Sequence, residues 1–284
     1  SAVEKGGAST VLVDARKRYP ASGIAYAEDL VLTADHVVTR DDIKVILPDG
    51  KSLAATVAGR DAGSDLALLR LAEKALKPAK TSNDVKVGQL VLALGRPNTA
   101  GMQASWGIVT AISGPARTHR GGLLDEYIST ETTPYPGFSG GPLVNTEGEV
   151  LGLNTSGLTQ GSSLTIPAKV AWRIADELAK HGSVKRGYLG VRTQPVEIPE
   201  AARKSLKREQ QSGLLVLWLE ENGPAQKGGL FVGDTIVAVA GQPVSDPDDL
   251  FAALKSETVG KSVAVEVLRG GKPENVNVTV GERK

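Results

Sequence analysis

A serine hydroxyl becomes a useful nucleophile only when a base can take its proton, and a Gly-rich turn lets backbone N–H groups approach a reacting carbonyl. Gly137-Phe138-Ser139-Gly140-Gly141-Pro142 offers such a turn around a serine. The N–H groups of Gly137 and Ser139 are the expected donors to the oxyanion that forms when Ser139 attacks a carbonyl. The base has to come from three histidines. His36 follows an apolar run in Leu32-Thr33-Ala34-Asp35-His36-Val37-Val38 and sits at a strand end. His119 lies in a basic, Gly-flanked stretch that reads as an exposed loop, and His181 ends a helix, where a cation complements the helix dipole. His36 is therefore the candidate base. Asp65 heads the apolar run Leu66-Ala67-Leu68-Leu69, where a buried acid needs a partner. It is the candidate to fix the tautomer of His36. Asp61 reads as a solvated turn residue, and Asp35, adjacent to His36, is not expected to present its carboxylate to it. Each of these residues alone has a plain structural reading as a turn, core or cap residue; the combination points to acyl transfer.

The elements that must carry these residues are short strands. Apolar or alternating runs recur at residues 10–13, 30–33, 43–47, 66–71, 90–94, 106–112, 149–154 and 163–166, separated by Gly, Pro, Asp and Asn. Many short strands with frequent turns predict a sandwich or barrel. The pattern changes after Pro167: Val170, Ile174 and Leu178 are spaced as on a helix, which Gly182 ends. The domain boundary is expected near residues 183–186, giving domains 1–183 and 184–284. In the second, 214–219, 235–239 and 262–268 read as strands. Residues 245–255 read as a helix, with Asp246 as N-cap and Pro247 at its first position.

Bulk properties narrow the function. Net charge is +1, no basic cluster with interleaved aromatics occurs, and nucleic acid is not an expected partner. There is no cysteine, which excludes disulfides, zinc-thiolate sites and a thiol nucleophile. No metal or cofactor is required by the chemistry above. The first ten residues lack a charged-then-apolar leader pattern, so a leader or anchor is expected to be absent from this numbering.

The chain order His, Asp, Ser is that of chymotrypsin-like proteases. At this level of detail the sequence resembles the HtrA (Deg) family of serine proteases. The resemblance rests on residues 32–38, on Gly59-Arg60-Asp61 through Asp65-Leu66-Ala67-Leu68-Leu69, on Gly107-Ile108-Val109, on residues 137–143 and on residues 148–155. It implies a mainly β chain: a chymotrypsin-like double six-stranded β-barrel followed by a PDZ domain, a small α+β module. Arg186-Gly187-Tyr188-Leu189-Gly190-Val191 is similar to the opening strand and carboxylate-binding loop of that module. Peptide C-termini would then bind at Tyr188, Leu189, Gly190 and Val191, with Leu250 and Leu254 lining the pocket for the last side chain. Thr133, Asn154, Thr155, Ser156 and Leu164 are expected to line the pocket for the residue before the cut. With no acid there, a small or medium apolar residue is expected.

The resemblance further implies unfolded protein substrates, a homotrimer and an extracytoplasmic setting such as the periplasm. The sequence departs from the family pattern at Phe138 and Tyr135, where Asn is usual, and in Thr130-Glu131-Thr132-Thr133-Pro134. These changes fall in the loop that presents the Gly137 N–H, and one lost oxyanion donor costs about 10²–10³ in turnover. A catalytically silent holdase or a peptide-binding scaffold therefore stays open at this point.

Overall fold

A computed structural model describes residues 1–118, 122–158, 163–206, 208–254 and 256–282. His119 lies outside the described residues. The chain divides into two compact units, Ser1–Val184 and Lys185–Lys284.

The first unit opens with α1 (Ala2–Gly7) and then forms two closed six-stranded barrels. The first barrel contains β1 (Thr10–Asp14), β2 (Ala21–Ala27), β3 (Leu30–Ala34), β4 (Ile43–Ile46), β5 (Ser52–Asp61) and β6 (Leu66–Leu71), in the order β1-β2-β3-β6-β5-β4. The second contains β7 (Leu90–Gly95) and β8 (Gln103–Ser113), then, past the small ribbon β9 (Ala116–Arg117) and β10 (Leu123–Leu124), β11 (Tyr127–Thr130), β12 (Pro142–Val144), β13 (Val150–Thr155) and β14 (Leu164–Pro167). Its order, β11-β14-β13-β12-β7-β8, repeats that of the first barrel strand for strand. Closure leaves neither barrel with an open edge.

The runs that stand out in the sequence are those buried on both sides. In β3 and β6, Val31, Ala34, Ala67 and Leu69 fill the first barrel, while Leu30, Leu32, Leu66 and Leu68 face a second core shared with Leu94, Val144, Leu153 and Ile166 of the other barrel. That shared core seals the seam between the barrels. It is capped by α2 (Ala168–His181), whose Val170, Ala171, Ile174, Ala175 and Leu178 pack into it. Gly182 closes α2 in the left-handed conformation, φ 74°, as its position predicts.

The second unit is an antiparallel sheet in the order β16-β17-β18-β20-β21, with β19 paired to β18 and helices against it. Its elements are β15 (Gly187–Tyr188), β16 (Val191–Glu197), α3 (Glu200–Leu206), β17 (Ser212–Leu219), α4 (Pro224–Gly228), β18 (Thr235–Val239), β19 (Gln242–Pro243), α5 (Pro247–Ala253), β20 (Ser262–Arg269), β21 (Lys272–Thr279) and β22 (Gly281–Glu282). Asp246 caps α5 as expected: its side chain accepts from the N–H groups of Asp248 and Asp249.

Candidate active site

β3 ends in a single 3₁₀ turn, Asp35–Val37, and this turn carries His36. Asp65 stands just before β6, which pairs with β3, so both residues emerge at the same end of adjacent strands. Asp65 holds the turn three times. Its carbonyl accepts from Asp35 N–H at 2.9 Å, Oδ1 accepts from His36 N–H at 2.8 Å, and Oδ2 meets His36 Nδ1 at 2.8 Å. The carboxylate is fully buried and the His36 side chain is 17% exposed. With Nδ1 facing a carboxylate, the ring carries its proton there and keeps its Nε2 lone pair free. Asp65 adopts φ 56°, a left-handed conformation that an aspartate enters at some cost, and such positions collect at active sites.

Two further residues complete this half of the site. Thr155, at the end of β13, is buried and donates its hydroxyl to Asp65 Oδ2, while Gly157 N–H donates to Thr155 Oγ1 at 2.9 Å. A Cβ on Gly157 would lie 2.3 Å from Asp65 Oδ2 and 2.5 Å from His36 Nδ1, so only glycine lets this segment pass over the pair. On the far side, Arg60 Nε donates to Asp35 Oδ1 at 2.6 Å and its Nη2 to Val38 O at 3.3 Å, bracing the turn. Asp61 differs from expectation. It is 7% exposed, and its Oδ2 accepts from Ser64 N–H at 2.9 Å, shaping the turn that precedes Asp65.

Ser139 comes from the second barrel, on the turn that leads into β12. Gly137 and Gly140 take φ 87° and 85°, and a Cβ on Gly140 would lie 2.1 Å from Ser22 O. The turn is pinned on both sides. Gly140 N–H donates to Asn154 O at 2.8 Å and Asn154 N–H to Gly141 O at 2.9 Å. From the first barrel, the fully buried Ser22 donates its N–H to Ser139 O at 3.2 Å and its hydroxyl to Gly137 O at 2.7 Å. Ser22 is itself fixed by Arg96 N–H on its hydroxyl (2.8 Å) and Thr33 Oγ1 on its carbonyl (2.7 Å). Neither the Gly137 N–H nor the Ser139 N–H meets an acceptor among the described residues. Ser139 Oγ lies 3.1 Å from Ser156 Oγ, and among the described residues it has no hydrogen bond to His36.

Phe138 explains how this loop departs from the sequence pattern. Its ring is 2% exposed in the core of the second barrel and lies against Gly95, where a Cβ would meet it at 2.5 Å. Tyr135 packs edge-on against it, centroids 5.4 Å apart. An apolar anchor thus seats the turn.

The residues expected to line the cleavage pocket part company. Thr133 is exposed, with its N–H on Ser105 Oγ at 2.7 Å. Asn154 is buried beneath the Ser139 turn and accepts from Thr165 Oγ1 at 2.7 Å. Thr155 serves Asp65 and Ser156 meets Ser139, as above. Leu164 alone of the five lines a cavity of about 410 Å³, together with Leu124, Tyr127, Thr130, Leu158 and Ser163. Ser22 and Gly157 escaped the sequence reading: a serine among small residues and a lone glycine past a strand carry no chemical signature.

In the second unit, Gly190 turns at φ 76°, Leu189 O accepts from Ala225 N–H and Gly190 O from Glu220 N–H, each at 2.8 Å. Tyr188 and Val191 are half-buried. Leu189 is buried, and Leu250 and Leu254, expected to line a peptide pocket, join it in the unit's core at 6% and 7% exposure. Phe251 is the exposed apolar residue of α5, at 38%.

Comparison with known proteins agrees with this geometry. A model described as "Trypsin-like peptidase domain" matches residues 21–153, and one described as "PDZ domain" matches residues 187–280. The chain is 39% identical over 276 residues to a "Probable periplasmic serine endoprotease DegP-like" of Halomonas elongata, covering 94% of this chain and 57% of that one. It is 37% identical over 270 residues to the protein of the same description from Brucella suis, covering 91% and 52%. The chain thus spans about half the length of the curated relatives it matches. Among solved structures, "HtrA-type protease AlgW with tripeptide" aligns with TM-score 0.82 and 30% identity, covering 100% of this chain and 96% of that one. A serine endoprotease from Yersinia pestis aligns with TM-score 0.81 and 27% identity, covering 100% and 97%. With two same-ordered barrels, a hydrogen-bonded His–Asp pair, a Gly-rich serine turn and, later in the chain, a PDZ unit, the chain belongs to the HtrA family of trypsin-like proteases.

Proposed function

We propose that this chain is a serine endopeptidase that cleaves unfolded or misfolded polypeptides outside the cytoplasm. The observation that carries the reading is Asp65, which grips both the backbone N–H and Nδ1 of His36 while accepting from Thr155. In the proposed mechanism Ser139 Oγ turns from Ser156 to His36 as substrate enters. Catalytic hydrogen bonds commonly tighten only in the Michaelis complex. Oγ attacks the scissile carbonyl carbon, its proton passes to His36 Nε2, and the carbonyl π pair moves onto oxygen. The N–H groups of Gly137 and Ser139, which have no acceptor among the described residues, hold that oxyanion. Collapse expels the amine, which takes the proton from His36, and water releases the acyl group by the same steps in reverse order.

The PDZ unit binds peptide C-termini by adding a strand to β16, with the carboxylate on the N–H groups around Leu189 and Gly190. The periplasmic descriptions of relatives support an extracytoplasmic setting. A homotrimer fits the family resemblance. The Ser139–Ser156 contact favours a second reading, a holdase with a silent site.

Digestion of casein by the wild type and by Ser139→Ala separates the two. The protease reading expects fragments from the wild type and a loss of at least about 10⁴-fold in the variant. Digestion that survives Ser139→Ala in a pure preparation would sink it. Equal suppression of aggregation by both proteins, without cleavage by either, would support the holdase.

A further inference from the structure

β16 stands at the end of its sheet and among the described residues is hydrogen-bonded to β17 alone, so its other edge is free of them. Which backbone groups face that edge follows from two bonds. At the start of β16, Glu220 N–H donates to Gly190 O at 2.8 Å; past its end, Ile198 N–H donates to Gln211 O at 2.8 Å. In an antiparallel pair, alternate residues direct their N–H and C=O at the partner strand. The register shifts once, between Arg192↔Trp218 and Thr193↔Val216, so the extra residue, Leu217, belongs to β17. Alternation along β16 is therefore unbroken. Gly190, Arg192, Gln194, Val196 and Ile198 face β17, and Val191, Thr193, Pro195 and Glu197 face the free edge. Proline is tolerated at position 195 because no bond to β17 needs its missing N–H.

We infer that Pro195 ends the peptide ladder, so that the groove reads only about the last four residues of a C-terminus through its backbone. The inference rests on the C-terminal docking reading given above. An antiparallel peptide whose carboxylate sits at Leu189-Gly190 sets its terminal residue against Val191 and its third-from-last against Thr193. At both places N–H and C=O are exchanged in each direction. Its fifth-from-last residue meets Pro195, whose exposed ring puts a methylene where the peptide carbonyl needs a donor. The added strand separates there. The fitting partner is a polypeptide with a free carboxylate and a short extended tail; residues upstream of that tail add little affinity.

The test uses the full chain carrying Ser139→Ala, so that no peptide is cut. Alanine-based peptides of three to eight residues, each ending in Leu-Val with a free carboxylate, are titrated by fluorescence anisotropy. Affinity should rise up to four residues and then stay level within about twofold. Adding Pro195→Ala restores a donor on the free edge, and peptides of five or more residues should gain about fivefold, the yield of one exchanged hydrogen bond, while three-residue peptides gain nothing. Affinity that keeps climbing from four to eight residues with Pro195 in place overturns the inference, as does a Pro195→Ala protein with the same plateau. Failure of every free-carboxylate peptide to bind, or equal binding by C-terminally amidated ones, overturns the docking reading and the inference with it.

Discussion

His36 and Asp65 are 29 residues apart, at the adjoining ends of two strands that pair with each other, and three hydrogen bonds join Asp65 to the His36 turn. Ser139 belongs to the other barrel, its hydroxyl rests on Ser156, and its turn is located by Ser22, 115 residues from Gly137. The base half of the site is thus built from neighbours and fully bonded. The nucleophile half is positioned at long range, with its side chain bonded elsewhere. The proposed catalysis depends on both, but different substitutions should disable each.

The largest effect should come from the base half. Asp65→Asn keeps the shape but reverses the hydrogen-bonding role opposite Nδ1, and kcat should fall about 10⁴-fold with little change in KM. It should also abolish the low-field proton resonance of the His36 Nδ1–H. A loss below tenfold would break the assignment. Ser22→Ala should act on the other half. Freed of its donor, Gly137 O can rotate, and kcat should fall about 10–100-fold, part of what a lost oxyanion donor costs. The His36 resonance should persist. Its disappearance would mean that the two halves are not separable. The smallest effect is a control. Tyr26, at the end of β2, donates to Asp176 of α2, and burial together with that carboxylate pushes its hydroxyl up to about 12 from an ordinary value near 10.0. The folded chain therefore keeps this proton where the unfolded chain has lost it, so stability should decline as pH rises between about 10 and 12. Tyr26→Phe should remove that decline and leave turnover at neutral pH within about twofold.

What the sequence revealed follows from burial. β3 and β6 read clearly because both their faces are covered, which writes a continuous apolar run. β2 has only Ile24 and Tyr26 as large side chains among Ala, Ser and Gly, too few to mark a strand, although it carries Ser22. β5 has only Leu53 and Val57 as large apolar residues over ten positions, and a register shift between Val57 and Gly59 breaks its alternation. Of the candidate site, His36, Asp65 and Ser139 stand out in the sequence because the proposed chemistry restricts residue type. The bond from Thr155 to Asp65 has no mark in the sequence, because the two residues are 90 apart and no local pattern records that contact. Leu250 and Leu254 have helical spacing, but spacing alone does not say which side of α5 meets the core and which meets a peptide.

The reach of Ser22 has a bearing on how such a chain survives its own synthesis. A ribosome delivers the first barrel before the second. His36 and Asp65 can pair as soon as β6 is out. The hydroxyl of Ser22 then waits for Gly137, and the seam waits for Leu94, Val144 and Ile166. A nascent chain therefore holds a base with no seated nucleophile. On the proposed mechanism, hydrolytic power arrives only when the last strands of the second barrel close, by which time the first barrel's own strands have been folded out of reach.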